Sequence, residues 1–326
     1  MSFQHLSANE RAVLAHLHGE GASQREIARQ LGRSSSTISR ELRRGRPSER
    51  CGYLAERAQD LAVARRSSAN GLRARMRCKK LLRKVRAGLK LRWSPELIVG
   101  RLKRLGSKLQ VCAMTLYRFL KRDREQGGKL HQGLPRRGKG RRPNGSKGRR
   151  RPKPGRRPLE DRPAGASNRT RHGHWEGDTV EGAGKSAYIV SLVDRKSRFT
   201  LLGKAKNKSQ DVVGDVVKRL LKRLAKALRR SATFDNGTEF NGLDAVEAAT
   251  GVTIYFADPY SPWQRGTNEQ TNGVMRYFLP KGTSFKTLSK ERLARIEDLL
   301  NNRPRKCLGY RTPAEVIPDV PAALRE

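Results

Sequence analysis

Apolar residues along this chain first recur at helical spacing, then nearly vanish, and then return in short β-like runs. Over residues 9–18, NERAVLAHLH, Val13, Leu14 and Leu17 fall on one side of a helix. Ile27, Ala28 and Leu31 line a second helix, and Gly32 follows as a turn where positive φ costs glycine nothing. Ser34, Ser35 or Ser36 can cap a third helix that turns Ile38 and Leu42 inward. Small Ala28 at the crossing, Gly32 at the turn and branched Ile38 as a wedge make a helix-turn-helix. Residues 51–90 are helix-rich and basic and say little more. A new unit opens at residue 93, WSPELIVGRLKRLG. Ser94 suits its N-cap and Pro95 its first turn, Leu97, Ile98 and Leu102 share a face, and Gly106 ends it. VCAMTLYRFLK, 111–121, offers a partner helix with Leu116, Phe119 and Leu120 inward. The pair predicts a second helix-turn-helix, with a helical dimerisation element as the competing reading.

Around residue 172 the period shortens. GHWEGDTVEG, SAYIVSLVDRKS (186–197) and RFTLLGKAK (198–206) predict three consecutive strands in an antiparallel meander. Val212, Val213, Val216, Val217, Leu220, Leu221 and Leu224 then repeat as a helix. SATFDN gives a fourth strand, LDAVEAATG a short helix and VTIYFAD a fifth strand. A helix after PYSPWQRG carries Glu269, and SKERLARIEDLLNNR forms another. Three strands, helix, strand, helix, strand, helix is the ribonuclease H-like order, in which the first and fourth strands are neighbours at the sheet centre. The expected fold is multidomain: α-helical helix-turn-helix modules followed by an α/β ribonuclease H-like catalytic domain. The expected boundaries are 1–50 for the first helix-turn-helix domain and 51–122 for the second helical region. A basic flexible linker follows over 123–168 and the catalytic domain over 169–326.

Charge then narrows the partner. Against 30 Asp and Glu stand 72 Lys and Arg, a net charge of +42, which repels itself unless a polyanion or salt neutralises it. Nucleic acid is the partner this implies. An anionic membrane surface is the weaker alternative, because no long amphipathic basic helix dominates the chain. No apolar run approaches the roughly 18 residues of a membrane span, and MSFQHLSANER has no signal-peptide apolar region. The expected location is cytoplasmic, on nucleoid DNA. A chain of 326 residues has room for about two or three domains. From Lys129 to Arg157 there are 13 Lys or Arg and no acid. That stretch has too little apolar material to fold and is expected to track phosphates without sequence preference. In the first helix-turn-helix the outward residues Ser35, Ser36, Thr37, Ser39, Arg40 and Arg43 suit a major groove. Thr115, Tyr117 and Arg118 are the corresponding candidates in the second. The four cysteines form no CxxC pair and read as free thiols.

Three carboxylates hold the candidate chemistry. Asp178 lies in the first strand, Asp235 ends the fourth and Glu269 stands on the following helix. The strand order brings the two aspartates side by side, which is costly for like charges unless cations join them. Two Mg²⁺ about 4 Å apart would remove that cost and activate both oxygens of a phosphoryl transfer. Mg²⁺ keeps waters and takes phosphate oxygens as ligands, so metal binding is expected to be weak or absent without DNA. Glu176, Glu181, Asp194, Glu239 and Asp258 compete by residue type. Arg276, two turns beyond Glu269 on the same face, can hold a DNA strand near the metals or simply be solvated. Asn268 and Asn272 can orient the glutamate or contact DNA. Trp263 can stack on a base or anchor its loop. For His172 and His174 a structural or DNA-backbone role is favoured over a proton shuttle.

GHWEGDTVEG, VDRKSRF, TFDNGTEF, YFADPYSPWQRGTNEQTNGVMRYFLPKGT and LNNRPRKCLGYRTPAEV resemble the insertion-sequence-30 family of bacterial transposases. Upstream, the first helix-turn-helix, GYLAERAQ, WSPELIVGRL and TLYRFL fit as well, so the resemblance spans nearly everything but the basic linker. It implies a DDE transposase whose triad and metal ligands are Asp178, Asp235 and Glu269, selecting Glu269 over Glu239, with Arg276 as the basic residue that follows. The implied cofactor is Mg²⁺, replaceable by Mn²⁺, with two ions when DNA is bound. The implied partners are terminal inverted repeats, target DNA and further copies of the chain, as a homodimer or higher homo-oligomer. The implied reaction releases a 3′-OH that attacks a second phosphodiester through joined-end or circular intermediates, with no covalent protein intermediate. Asp194, Gln270 and Cys112 depart from the family pattern without touching the triad. A regulator that only occupies the repeats and a nuclease that cuts without joining are the alternatives. An intact triad argues against the first, and two end-reading modules argue against the second.

Overall fold

The computed structural model describes residues 5–45, 52–69, 76, 78–109, 111–135, 156–258 and 261–318. The chain divides into two compact units, Met1–Lys79 and Lys80–Glu326. The first contains α1 (Ala8–Gly19), α2 (Gln24–Gln30), α3 (Ser35–Gly45) and α4 (Ala55–Ala69). Ser7 and Glu10 close a capping box at the start of α1. Ser34 is the serine at the head of α3, its Oγ accepting from the Thr37 amide at 3.3 Å. Gly32 takes φ +60°, and Ala28 and Ile38 are buried beside it, as the helix-turn-helix spacing requires. Val13, expected inward, is exposed, and Leu14 fills the core.

This unit does not close at residue 50. Tyr53 and Ala58 complete its core with Leu14, Ile27, Ile38 and Leu42. Buried Arg11 ties the same elements, donating to Glu41 at 2.6 Å and to Gln59 at 2.8 Å. The stretch expected as one helical region, 51–122, is therefore shared between the two units. Most of the basic run from Lys129 to Arg157 lies outside the described residues.

The second unit opens with α5 (Lys79–Lys90), α6 (Pro95–Arg104) and α7 (Ala113–Glu125). Gly106, at φ +63°, follows the end of α6. These helices are seated on the C-terminal segment of the chain. Gly100 faces the Tyr310 ring so closely that a Cβ there would overlap it. Arg101 grips Glu315 with both guanidinium nitrogens, the longer bond being 2.8 Å. Arg303 Nη1 donates to the Arg92 carbonyl at 2.8 Å.

After the short α8 (Ala164–Ser167) come β1 (His174–Glu181), β2 (Tyr188–Asp194) and β3 (Thr200–Ala205). Then follow α9 (Gln210–Lys222), β4 (Ser231–Phe234), α10 (Asp244–Thr250), β5 (Thr253–Phe256), α11 (Gly266–Met275), α12 (Lys290–Asn301) and α13 (Pro313–Val316). The sheet order is β3-β2-β1-β4-β5. Strands β1, β2 and β3 pair antiparallel, while β1–β4 and β4–β5 are parallel. This is the ribonuclease H-like arrangement. Alternation along the strands divides the core: Trp175, Val190 and Leu192 pack with Val213, Val217 and Leu220 of α9 on one face. Val180 and Ile189 pack with Val274, Met275, Leu293 and Ile296 of α11 and α12 on the other. Gly177 is required between them, because a Cβ there would run into the Phe234 ring.

Candidate active site

Asp178 and Asp235 meet because β1 and β4 are parallel neighbours in register Glu176↔Thr233. Continuing that register brings residue 178 level with residue 235, just past the end of β4. Both carboxylates share Arg265, from the loop ahead of α11: its Nη2 is 3.0 Å from Asp235 Oδ2 and 3.7 Å from Asp178 Oδ1. Its Nη1 donates to the Gly177 carbonyl at 2.9 Å. The remaining oxygens are held by the protein. Asp178 Oδ1 accepts from the Thr179 amide at 2.9 Å and Oδ2 from the Asn272 amide group at 2.8 Å. Asp235 Oδ1 accepts from the Gly237 amide at 2.9 Å. Burial pushes the Asp178 carboxyl up to about 6, Arg265 opposes this, and Asp235 adds to it. Both side chains keep a face to solvent, Asp178 at 24% and Asp235 at 43%.

The competing acids are engaged elsewhere. Glu176 is fully buried, paired with Arg195 through Oε1, and its Oε2 accepts from the Asn268 amide at 2.9 Å. It thus caps the first turn of α11, where a negative charge is favourable. Asp194 is buried and holds the turn after β2, accepting from the Gly173 and Ser197 amides at 2.9 and 2.7 Å. Glu239 reaches Thr179, the residue after Asp178. Its burial alone would raise its pKa, but backbone bonding, Lys208 at 2.9 Å and Thr179 at 2.9 Å outweigh that and hold it down. Asp258 is bonded to Gln264 at 2.9 Å. His174 is buried against Ser231 at 2.7 Å and His172 faces Asp194 at 3.4 Å, which are structural roles.

Glu269 stands exposed on α11. Among the described residues no group of three or more His, Cys, Asp or Glu is arranged to hold a metal ion, so the expected trio is not gathered in advance. The donors that are present still suit a hard cation. Two carboxylates converge, and among the described residues the one charge paired with either is a guanidinium. The helix is fixed close by. Asn268 and Asn272, expected to orient Glu269 or touch DNA, instead reach β1: Asn268 bonds Glu176 and Asn272 bonds Asp178. A four-residue step on a helix, about 6 Å, matches a two-residue step on a strand, about 6.6 Å. Ser191 Oγ lies between the two Oδ1 atoms, at 3.0 and 3.2 Å, and shares its single proton between them.

Arg276 is half-buried at the end of α11, donating to the Glu181 carbonyl at 2.9 Å with its guanidinium 5.8 Å from the Phe285 ring centre. The Trp263 side chain lies outside the described residues. In the first helix-turn-helix, Ser35, Ser36, Arg40 and Arg43 are exposed, and Thr37 and Ser39 are partly so. A shallow groove lined by Ser23, Gln24, Arg25, Ser35, Ser36 and Ser39 joins the starts of α2 and α3. In the second, Arg118 is exposed and Tyr117 donates to Glu96 at 3.1 Å. Thr115 corrects the sequence reading: it is buried in the first turn of α7, its amide donating to Cys112 Sγ at 3.4 Å, and is not on the surface. Residues the sequence reading passed over include Arg265 and Arg156. Arg156 stacks 4.2 Å over Phe256 and donates to Asn236 at 3.0 Å, in the loop that carries Asp235. The Arg157 carbonyl accepts from the Phe256 amide at 3.0 Å, so the end of the basic run docks on β5.

The chain is similar to known proteins along most of its length. The family described as a helix-turn-helix domain matches residues 2–45, and that described as an integrase core domain matches residues 168–262. Over 328 residues the chain is 38% identical to the transposase InsI for insertion sequence element IS30A of Escherichia coli (strain K12), covering 96% of this chain and 83% of that one. It is 37% identical over 326 residues to the transposase for insertion sequence element IS1086 of Cupriavidus metallidurans, covering 98% and 95%. Among solved structures, the catalytic core domain of BIV integrase aligns with a TM-score of 0.36 at 18% identity, covering 45% of this chain and 93% of that one.

Proposed function

Because the chain belongs to the insertion-sequence-30 family of transposases, we propose that it binds the terminal inverted repeats of its own element and both cuts and joins DNA. The observation that carries this reading is the pair Asp178 and Asp235, brought together on adjacent parallel strands and bridged by a single guanidinium. Asp178, Asp235 and Glu269 would hold the divalent cations, Mg²⁺ or in its place Mn²⁺, with two ions when DNA is bound. Bound there, such cations supply charge neutralisation and activation of the attacking and leaving oxygens.

The chain's own residues prepare the site. Thr179, Asn272 and Gly237 hold the two aspartates in place by hydrogen bonds to their carboxylate oxygens. Arg265 neutralises the pair while DNA is absent and is free to turn to a phosphate when it yields that place. Glu176 holds the start of α11, so Glu269 approaches from a fixed helix. Water breaks a P–O bond at the element end and releases a 3′-OH. That hydroxyl attacks a second phosphodiester and expels its 3′-oxygen, through joined-end or circular intermediates. The first reader is built on α1–α3, completed by α4, and the second on α6 and α7. The stretch 123–168 tracks phosphates, and 169–326 does the chemistry in a homodimer or larger assembly on nucleoid DNA. Ser35, Ser36, Thr37, Ser39, Arg40, Arg43, Tyr117 and Arg118 would contact the repeats, while Trp263 and Arg276 would contact DNA near the triad.

Replacing Glu269 with Gln or Asp178 with Asn tests the triad. Cleavage and joining of a repeat-bearing duplex should vanish while repeat binding, measured by gel shift, survives. Full joining by either variant would sink the assignment.

A further inference from the structure

The segment LNNRPRKCLGY takes no part in the chemistry above, yet it holds an arrangement that costs stability as it stands. Arg305 is 8% exposed, and its Nε and Nη2 are buried with no acceptor among the described residues. Arg198, in the turn between β2 and β3, has its Nε buried in the same way, while its Nη1 donates to Thr267 Oγ1 at 2.5 Å. Its backbone is held at φ +64°, unfavourable for a side chain of that size. Arg303 is 5% exposed, with its guanidinium 5.8 Å from the Tyr277 ring centre. Burial acts most strongly against the charge on Arg305, Arg303 and Arg198 add to that, and Cys307 and Tyr277 favour it. Arg198 and Arg303 thus lie within electrostatic reach of Arg305, and among the described residues none of the three is in an ion pair with an acid.

Buried cations in folded proteins are normally paired, because an isolated one loses its hydration for nothing. Arg195 shows that habit with Glu176, and Arg162, which has no ion pair among the described residues, is bonded at both terminal nitrogens to the Thr233 and Ser167 hydroxyls. The missing partner of the cluster must be anionic and able to accept several N–H groups at once. Phosphate oxygens do this, and arginine is the side chain suited to them. In a chain of net charge +42, the phosphate at hand is that of DNA. We propose that Arg198, Arg303 and Arg305 form a phosphate-binding site that receives one phosphodiester of the DNA where the α5–α7 helices meet the catalytic fold. Arg303 marks that meeting point through its bond to the Arg92 carbonyl. The identity of the anion's carrier rests on the DNA-handling function above; the demand for an oxyanion does not.

The test uses full-length protein, Arg305→Met and Arg198→Gln. Thermal unfolding is followed in chloride and in inorganic phosphate at matched ionic strength, and DNA binding is measured over a range of salt. Removing an unpaired buried charge should raise the DNA-free Tm of Arg305→Met by about 2–4 °C. Both variants should lose the Tm gain that phosphate gives the parent. Each should flatten the slope of log K against log salt by about 0.9, the share of one phosphate contact. A lower Tm in Arg305→Met, with phosphate gain and salt slope intact in both variants, would overturn the site. Loss of the phosphate gain with an unchanged slope would overturn DNA as the source and leave a free phosphate ion. A parent that responds to phosphate but binds no repeat DNA would count against the proposed function and not against the oxyanion site.

Discussion

Glu176 and Asp178 leave the same face of one strand, two residues apart, and end in opposite conditions. Glu176 is fully buried, with one oxygen on Arg195 and the other on the first turn of α11. Asp178 is a quarter open to solvent, and its arginine stands at 3.7 Å while bonding Asp235 more closely. Each carboxylate has a guanidinium, but Arg195 is held by two further carbonyls, those of Ala166 and Gln264 at 2.8 and 3.3 Å, and Arg265 by one, that of Gly177 at 2.9 Å. The lesson is that residue type does not separate a structural acid from a reactive one. What separates them is whether the partner can leave.

The largest expected effect comes from breaking the closed pair. Glu176→Gln leaves Arg195 buried without its counter-charge and should cost about 3–5 kcal/mol, read from urea unfolding. Asp178→Asn in the metal-free protein should cost nothing and can stabilise, since it removes a carboxylate that burial opposes. Equal losses in the two variants would erase the contrast. A middling effect should come from opening the other pair. Arg265→Gln leaves the two aspartates uncompensated and should tighten DNA-free Mn²⁺ binding about tenfold, measured by titration calorimetry. An unchanged affinity would mean that the guanidinium does not screen them. The smallest effect concerns the far end of β1. Burial holds His174 below its ordinary 6.5. As pH falls through about 6.5 the unfolded chain therefore takes up a proton that the folded chain refuses. His174 costs nothing above that pH and erodes stability below it. The drop in Tm between pH 7.5 and 5.5 should be smaller in His174→Gln than in the parent; equal drops would place the pH sensitivity elsewhere.

The parts of this site that could be read in advance are those set by a local period. Strand alternation and helix spacing give the element order, and the order alone makes Asp178 and Asp235 neighbours. Partners are another matter, because they come from distant segments. Nothing in HWEGD distinguishes Glu176 from Asp178 until Arg195 and Asn268 are folded against one of them. Arg265 stood in PYSPWQRG, and its one cue was a basic residue just ahead of the helix carrying Glu269. Thr115 looked available because its capping partner is Cys112, and cysteine is not among the residues that usually announce a helix start. The division of 51–122 between two units was hidden for a similar reason. The core contribution of Tyr53 and Ala58 involves too few apolar positions to register as a period.

Gly100 and Tyr310 interlock so closely that a larger residue at one position demands a smaller one at the other. Arg101 and Glu315 form a second matched couple alongside them. The two segments therefore fit only as a matched pair. A recombination event that exchanged α5–α7 between relatives without their C-terminal counterpart would join ill-fitting halves. A crossover ahead of α5 keeps both couples together, and that is the seam at which a new N-terminal reader could be grafted.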